Sequence, residues 1–336
     1  MRNISFMVPM FKYNFAGFPM SVVLLSHNRL DELIRNIPEL IDNCARFGYE
    51  LIIVDNASDK NICSYLTRIT SSKPNVVLML NESNLGIAGG RNSAFALAQG
   101  EFVLSIDDDT RVSSEVLRDL PGLMRGKYLE VGILALRIKH PFTGEEQNFA
   151  GDYDTPVRNH HGAACVIRRE VLARIGGIDD FCDFGFEELD ICIRAHAAGF
   201  QILYTPELVV YHNSYLRPGG VGFERRRKRI FNCSRTMCKY FPFWMAQKLS
   251  ARYFVQAIRG FILNKEISNL FRLFLDHLRG CYLGLRHRTL MPPATVAYYS
   301  DPNLVPENGN QPYFGPLIKR KLFQTHRSDQ FKKRNP

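Results

Sequence analysis

No stretch of this chain reaches the ~18–20 consecutive apolar residues that span a bilayer. Residues 1–20 (MRNISFMVPMFKYNFAGFPM) are partly apolar, but Lys12 interrupts them, and they contain neither a long apolar core nor an A-x-A site. The segment is not read as a signal peptide. A soluble cytoplasmic protein is expected, peripheral at most on the inner face of the cytoplasmic membrane. The eight cysteines include no C-x-x-C pair, which argues against a zinc cluster. Several lie in apolar runs and read as core thiols of a reducing compartment. There is no internal repeat, which excludes a solenoid.

What is present suits a globular enzyme. The 336 residues are 46% hydrophobic and 23% charged, enough for one large α/β domain and an extension. The net charge of +10 is unevenly placed. Acidic clusters fall in the first two thirds, and the basic run Arg225 to Arg229 (RRRKR) opens the last third. Such asymmetry fits an acidic catalytic part and a basic tail facing a membrane surface, a phosphorylated acceptor or nucleic acid.

Near-continuous apolar strands alternate with helical patterns. Residues 21–26, 51–54, 76–80 and 102–106 read as buried strands. Residues 30–47 read as a helix that Pro38 can bend, and 89–99 as a second helix closed by Gly100. This order predicts an α/β fold with a mostly parallel sheet flanked by helices. Further on, 131–138, 163–167, 202–204 and 208–211 are strand-like, and 187–198 is helical. From Arg225 the chain turns helical and basic. From Pro292 it is rich in Pro, Asn and Gly and looks loop-like. The expected division is a catalytic domain over 18–215 (nucleotide part 18–109, acceptor part 110–215), a basic amphipathic helical region over 216–290, and a loop-rich tail over 291–336.

Asp107, Asp108 and Asp109 leave the carboxyl end of the fourth strand, where open α/β sheets place their ligands. Three adjacent carboxylates repel unless solvated or neutralised by a divalent cation. Mg²⁺ or Mn²⁺ there suits a substrate carrying phosphates; alternatively, Asp109 caps the next helix. Other polar groups follow strand ends: Ser26-His27-Asn28-Arg29, Asp55-Asn56-Ala57-Ser58 and NLGIAGGRN over 84–92. The last has G-x-x-G-G spacing and follows the third strand, so a dinucleotide fingerprint is rejected. Its glycines Gly86 and Gly90 admit close backbone approach, and its helix start, with Arg91 and Asn92, favours anions.

In this order, with GGIDDFCDFGFEELD over 176–190 and Tyr211-His212 downstream, the motifs resemble inverting family 2 glycosyltransferases of the GT-A fold, a Rossmann-like architecture, and among them the bacterial rhamnosyltransferase-like group. The resemblance covers roughly 21–214. It implies a nucleoside-diphosphate-sugar donor, uridine- or deoxythymidine-linked, and an acceptor glycan or lipid-linked hydroxyl in cell-surface polysaccharide or lipopolysaccharide assembly. Donor contacts are then expected from Ser26, Asn28, Arg29, Asp55, Ser58, Asn84, Gly86, Gly90, Arg91, Asn92, Asp107 and Asp108. The metal ligands are expected to be Asp109, Asp107 and the late His212. Glu188 stands where the family's general base is commonly Asp, with Asp190 as fallback. Acids in a first helical turn also favour the helix dipole, and Asp190 can pair with Arg194.

The C-terminal helical region is amphipathic, with Lys248, Arg252 and Arg259 near one face. It could lie on an anionic bilayer or pack on the catalytic domain. No recognised motif supports nucleic acid. A nucleotidyltransferase would show a glycine-rich loop after the first strand, and SHNRLDEL has none. A catalytically silent nucleotide-sugar-binding subunit would fit less well with the intact run of acids.

Overall fold

The computed structural model describes residues 17–214, 222–263, 269–301 and 304, with side chains of 259–263 outside the description. Four strands, β1 (Met20–Ser26), β2 (Glu50–Asp55), β3 (Val76–Leu80) and β4 (Phe102–Asp107), alternate with α1 (Leu30–Phe47), α2 (Lys60–Thr70) and α3 (Gly86–Leu97). All pairings among these strands are parallel, in the spatial order β3-β2-β1-β4. Alternate residues of each strand serve opposite layers. Val22, Leu24, Leu51, Ile53, Leu104 and Ile106 join the core that includes Leu33, Ile37 and Ile41 of α1. Val23, Ile52, Val54 and Val103 join the core on the other face with Ala88 and Ala94 of α3. Burial on both faces is why these strands read as unbroken apolar runs. Gly48 ends α1 in the left-handed conformation at φ 68°, where a Cβ would be strained. Pro38 lies inside α1 without ending it.

The second half follows as β5 (Thr110–Arg111), α4 (Ser114–Arg125), β6 (Val131–Lys139), β7 (Thr155–Pro156), β8 (Ala164–Arg168), α5 (Arg169–Ile175), α6 (Glu187–Ala197) and β9 (Gln201–His212). The sheet continues β4-β8-β6-β9-β5, with β7 against β9. The sheet is mostly parallel, as expected, with its antiparallel pairings confined to the second half. β8 runs antiparallel to both β4 and β6, and β5 and β7 run antiparallel to β9. The sheet is therefore mixed, because β8 returns to fill the space between β4 and β6. The two short strands expected over 202–211 are one strand, β9, with a register shift opposite Leu136 and Arg137. Gly100 is not the cap of α3, which ends at Leu97 with Ala98 as its cap. A Cβ on Gly100 would lie 2.3 Å from the backbone nitrogen of Ser21, so close strand packing requires the glycine.

Four helices complete the described chain: α7 (Phe223–Tyr240), α8 (Phe243–Leu263), α9 (Leu270–Arg286) and α10 (Pro293–Ser300). Residues 293–300 are thus helical where loop was expected; the rest of the anticipated tail, 305–336, lies outside the described residues. Gly280 and Gly284 let α9 close on α7: Cβ atoms there would lie 2.5 and 2.4 Å from the carbonyl oxygens of Phe231 and Arg235. No described helix is long and apolar enough to cross a membrane.

Candidate functional site

Register alone assembles the acids. Parallel pairing sets Ser26 beside Asp55 and Leu25 beside Asp107, so the ends of β1, β2 and β4 share one edge. The antiparallel β5–β9 pair sets Thr110 against His212, which carries the imidazole back to the acid triplet. One ligand atom from each of Asp107, Asp109 and His212 lies within 4.8 Å of the others. His212 Nε2 is 3.1 Å from Asp109 Oδ1, a buried oxygen with no hydrogen bond of its own. Two carboxylates and an imidazole form a donor set suited to Mn²⁺ or Mg²⁺, and the orphaned oxygen is what a cation would satisfy.

The tautomer of His212 supports the same use. Gln147 Nε2 donates to the His212 carbonyl oxygen at 2.9 Å, which can only accept. Gln147 Oε1 therefore faces His212 Nδ1, at 2.6 Å, and Nδ1 must carry the proton. In the neutral ring this leaves the Nε2 lone pair directed at Asp109, the arrangement a metal ligand needs.

Charge in this cluster is finely divided. Arg29 pairs with Asp109 and lies 3.5 Å from Asp108. Burial works against the charge of Asp109, but His212 and Arg29 outweigh it and hold its carboxyl below the ordinary range. Burial pushes Asp108 up to about 7; Arg29 opposes this and the two flanking carboxylates add to it. Asp108 is not part of the ligand group, and its carbonyl accepts from Asn36 at 2.8 Å. Burial opposes a proton on His212, yet Asp109 raises its basicity overall.

On the other side of Asp107 lies a cavity of about 220 Å³. Asp107 meets buried Arg91 at 2.7 Å, and Arg91 also donates to the Gly162 carbonyl at 2.6 Å. Glu187, Glu188, His161, Phe186 and Arg229 share this cavity with Arg91 and Asp107. Phe186 turns into α6 at φ 74°, a conformation rarely adopted by a bulky residue, and delivers the two glutamates to the cavity. Burial raises Glu187 and Glu188 above the ordinary glutamate range; their neighbouring charges add to this, and Arg91 opposes it. A carboxylate of raised basicity beside a cavity has the chemistry of a proton acceptor.

The remaining expected residues divide into two groups. Asn28 and Ser58 close the β1–β2 edge reciprocally: the Asn28 N–H donates to Ser58 Oγ, and Asn28 Oδ1 accepts from the Asp59 N–H. Asp55 is buried; its Oδ2 caps Ser58 N–H at 2.8 Å, and its Oδ1 is without a partner. Asn84 accepts from the Gly86 N–H and from Asn56, and Gly86 has φ 72°. A Cβ on Gly90 would lie 2.5 Å from Leu25. Asn92 and Asp190 are instead absorbed by packing. Asn92 holds the 178–180 loop through the Ile178 N–H and carbonyl. Asp190 is buried, pairs with Arg194, accepts from the Asp179 N–H at 3.0 Å and from the Tyr240 hydroxyl at 2.5 Å. Its lone pairs are committed, and it is not among the cavity residues.

The basic run engages neighbouring side chains, although Arg225 and Lys228 stay exposed. Arg225 stacks on Phe184 at 4.9 Å, Lys228 meets Asp183 at 2.7 Å, Arg227 meets Asp276 of α9 at 2.7 Å, and Arg229 lines the cavity. Arg235 and Lys239, farther along α7, clamp Asp179 at 2.7 and 2.6 Å. Sequence reading missed Gln147, His161, Gly162 and Arg229. Only Arg229 had a visible signal, its place in RRRKR.

Residues 21–176, just under half of this chain, match Glycosyl transferase family 2. A protein of unassigned function from Sinorhizobium fredii is 23% identical over 244 residues, 64% of this chain and 26% of its own length. The poly(ribitol-phosphate) beta-glucosyltransferase of Bacillus spizizenii is 30% identical over 99 residues, 29% of this chain and 16% of that enzyme. This chain therefore spans only a fraction of either relative. Among solved structures, GalNAc-T7 with UDP, GalNAc and Mn²⁺ aligns at TM-score 0.55 and 15% identity, covering 82% of this chain and 57% of that one. S. aureus TarS aligns at 0.50 and 14%, covering 80% and 55%. The fold is that of these GT-A structures, with a helical C-terminal region.

Proposed function

We propose that this enzyme moves a sugar from a uridine- or deoxythymidine-diphosphate donor to an acceptor hydroxyl with inversion at the anomeric carbon. The observation that carries this reading is the Arg91–Asp107 pair. It joins, in one cavity wall, the metal-ligand group on one side and Glu188 on the other. Asp55, Asn28 and Ser58 at the β1–β2 edge would hold the base and ribose. Gly86, Gly90 and the start of α3 would admit the diphosphate. Asp107, Asp109 and His212 would hold Mg²⁺ or Mn²⁺, which neutralises charge on the leaving diphosphate when bound.

Glu188 then takes the acceptor proton as the hydroxyl attacks from the face opposite the diphosphate. Arg91 keeps positive charge between Glu188 and Asp107 and limits their mutual repulsion. The acceptor would be a glycan or lipid-linked hydroxyl in cell-surface polysaccharide or lipopolysaccharide assembly. The domain division that fits this function is a catalytic unit over 18–215, with the α7 region completing its acceptor side. The test is nucleotide release from UDP-, dTDP- and GDP-sugars with Mn²⁺ or Mg²⁺, in wild type and Asp109→Ala. Metal-dependent release from one donor, lost in Asp109→Ala, is expected. Failure of the wild type to bind any donor would overturn the reading.

A further inference from the structure

We infer that the outward face of α9 is an interfacial docking surface for an anionic lipid bilayer. Phe271, Phe274, Leu275, Leu278, Tyr282 and Leu285 are all exposed, Phe271 by 70% and Tyr282 by 60%. Their spacing places them on one stripe of the helix. Arg272, Arg279 and Arg286 recur every seven residues and run along one flank of that stripe, also exposed. The opposite face, with Leu273, His277, Gly280 and Gly284, is buried, chiefly against α7. Among the described residues, the apolar stripe is therefore left over after packing, on a helix about 25 Å long.

Charge selects the occupant. The sole acid in α9, Asp276, is held by Arg227 at 2.7 Å, so nothing in the helix offsets its three arginines. Antiparallel docking of a second copy would set Arg279 against Arg279 and Arg272 against Arg286. Parallel docking would leave both arginine rows at the seam with no acid of α9 to meet them. The chain's own residues 305–336 carry seven Lys or Arg and two acids, so they are a poor match for this face. Anionic headgroups meet the arginines while the acyl boundary takes the aromatic and leucine side chains. Trp244, 82% exposed, stands near the same end of the helical layer, where Arg288 joins the end of α9 to the Phe241 carbonyl at 3.0 Å. Tryptophan at such a boundary is a known interfacial anchor. This inference stands on the α9 face and is independent of the donor and base assignments.

Co-sedimentation of the full chain with phosphatidylcholine vesicles, with and without phosphatidylglycerol, tests it, alongside sedimentation velocity without lipid. Expected is a monomer that binds the anionic vesicles and not the neutral ones. Arg272→Gln/Arg279→Gln/Arg286→Gln should weaken partitioning by about 5-fold per charge removed, and Leu275→Glu/Leu278→Glu should abolish it. These positions are exposed, and unchanged circular dichroism would confirm folded variants. A dimer that both variants dissociate would assign the face to a second copy and overturn the inference. So would a folded wild-type monomer that ignores anionic vesicles, or binding that both variants retain.

Discussion

Gly162→Ala isolates the position of Glu188 from its chemistry. A Cβ at residue 162 would stand 2.5 Å from Glu188 Oε1, whereas ordinary contact begins near 3.4 Å. The backbone of Gly162 is not in the left-handed region, so alanine brings no strain of its own. The next residue in its way, Arg91, is 3.7 Å off and need not move. The carboxylate must therefore shift by about 1 Å, and the cavity beside it leaves room. A displacement of about 1 Å in a reacting group is worth on the order of 100-fold in rate, or about 2.7 kcal/mol of barrier. Turnover at saturating donor and acceptor should fall by that order while the melting temperature and donor affinity stay near wild type. Turnover within 3-fold of wild type, an order-of-magnitude criterion against that expectation, would refute the placement of Glu188 as proton acceptor. A collapse in melting temperature would refute the claim that only the carboxylate yields.

Gln147→Ala should weaken Mn²⁺ binding by about 10- to 100-fold, read from free Mn²⁺ by electron paramagnetic resonance, because Nδ1 of His212 loses the acceptor that fixes its proton. The glutamate pair also predicts a pH dependence. Burial raises both carboxyls in the folded state, so the fold binds more protons than the unfolded chain above the ordinary glutamate range. Stability should therefore fall as pH rises from that range toward the raised values. Glu187→Gln should flatten the fall, measured by denaturant unfolding between pH 5 and 9, a window chosen to bracket the shift. The same raised basicity places the acid limb of the turnover profile above the ordinary glutamate range.

The parts of this fold legible in the sequence are those whose burial is two-sided. β1, β2 and β4 are apolar throughout because helices cover both faces, and their polar ends announce the ligand edge. The antiparallel insertion of β8 was illegible because ACVIR carries no sign of its direction; strand order comes from long-range packing. The cluster of Asp107, Asp109 and His212 was legible because short motifs at strand ends are brought together by register. Asp190 shows the opposite case. Its spacing from Glu187 and Glu188 invited a catalytic role, but Tyr240, 50 residues away, takes one of its oxygens. Gln147 and Gly162 lie in loops without periodicity, and their roles exist only through contacts with His212 and Glu188. The partners of the basic run were illegible for a similar reason: net charge does not reveal that Asp183, Asp276 and the face of Phe184 lie within reach.

The most direct test of the central claim compares donor binding and turnover in Glu188→Gln. The substitution preserves size and removes the proton-accepting charge. Wild-type affinity for the nucleotide-sugar with Mn²⁺ is expected, with turnover lower by about 100- to 10,000-fold. Turnover within a few fold of wild type would contradict it and require the acceptor proton to leave by another group.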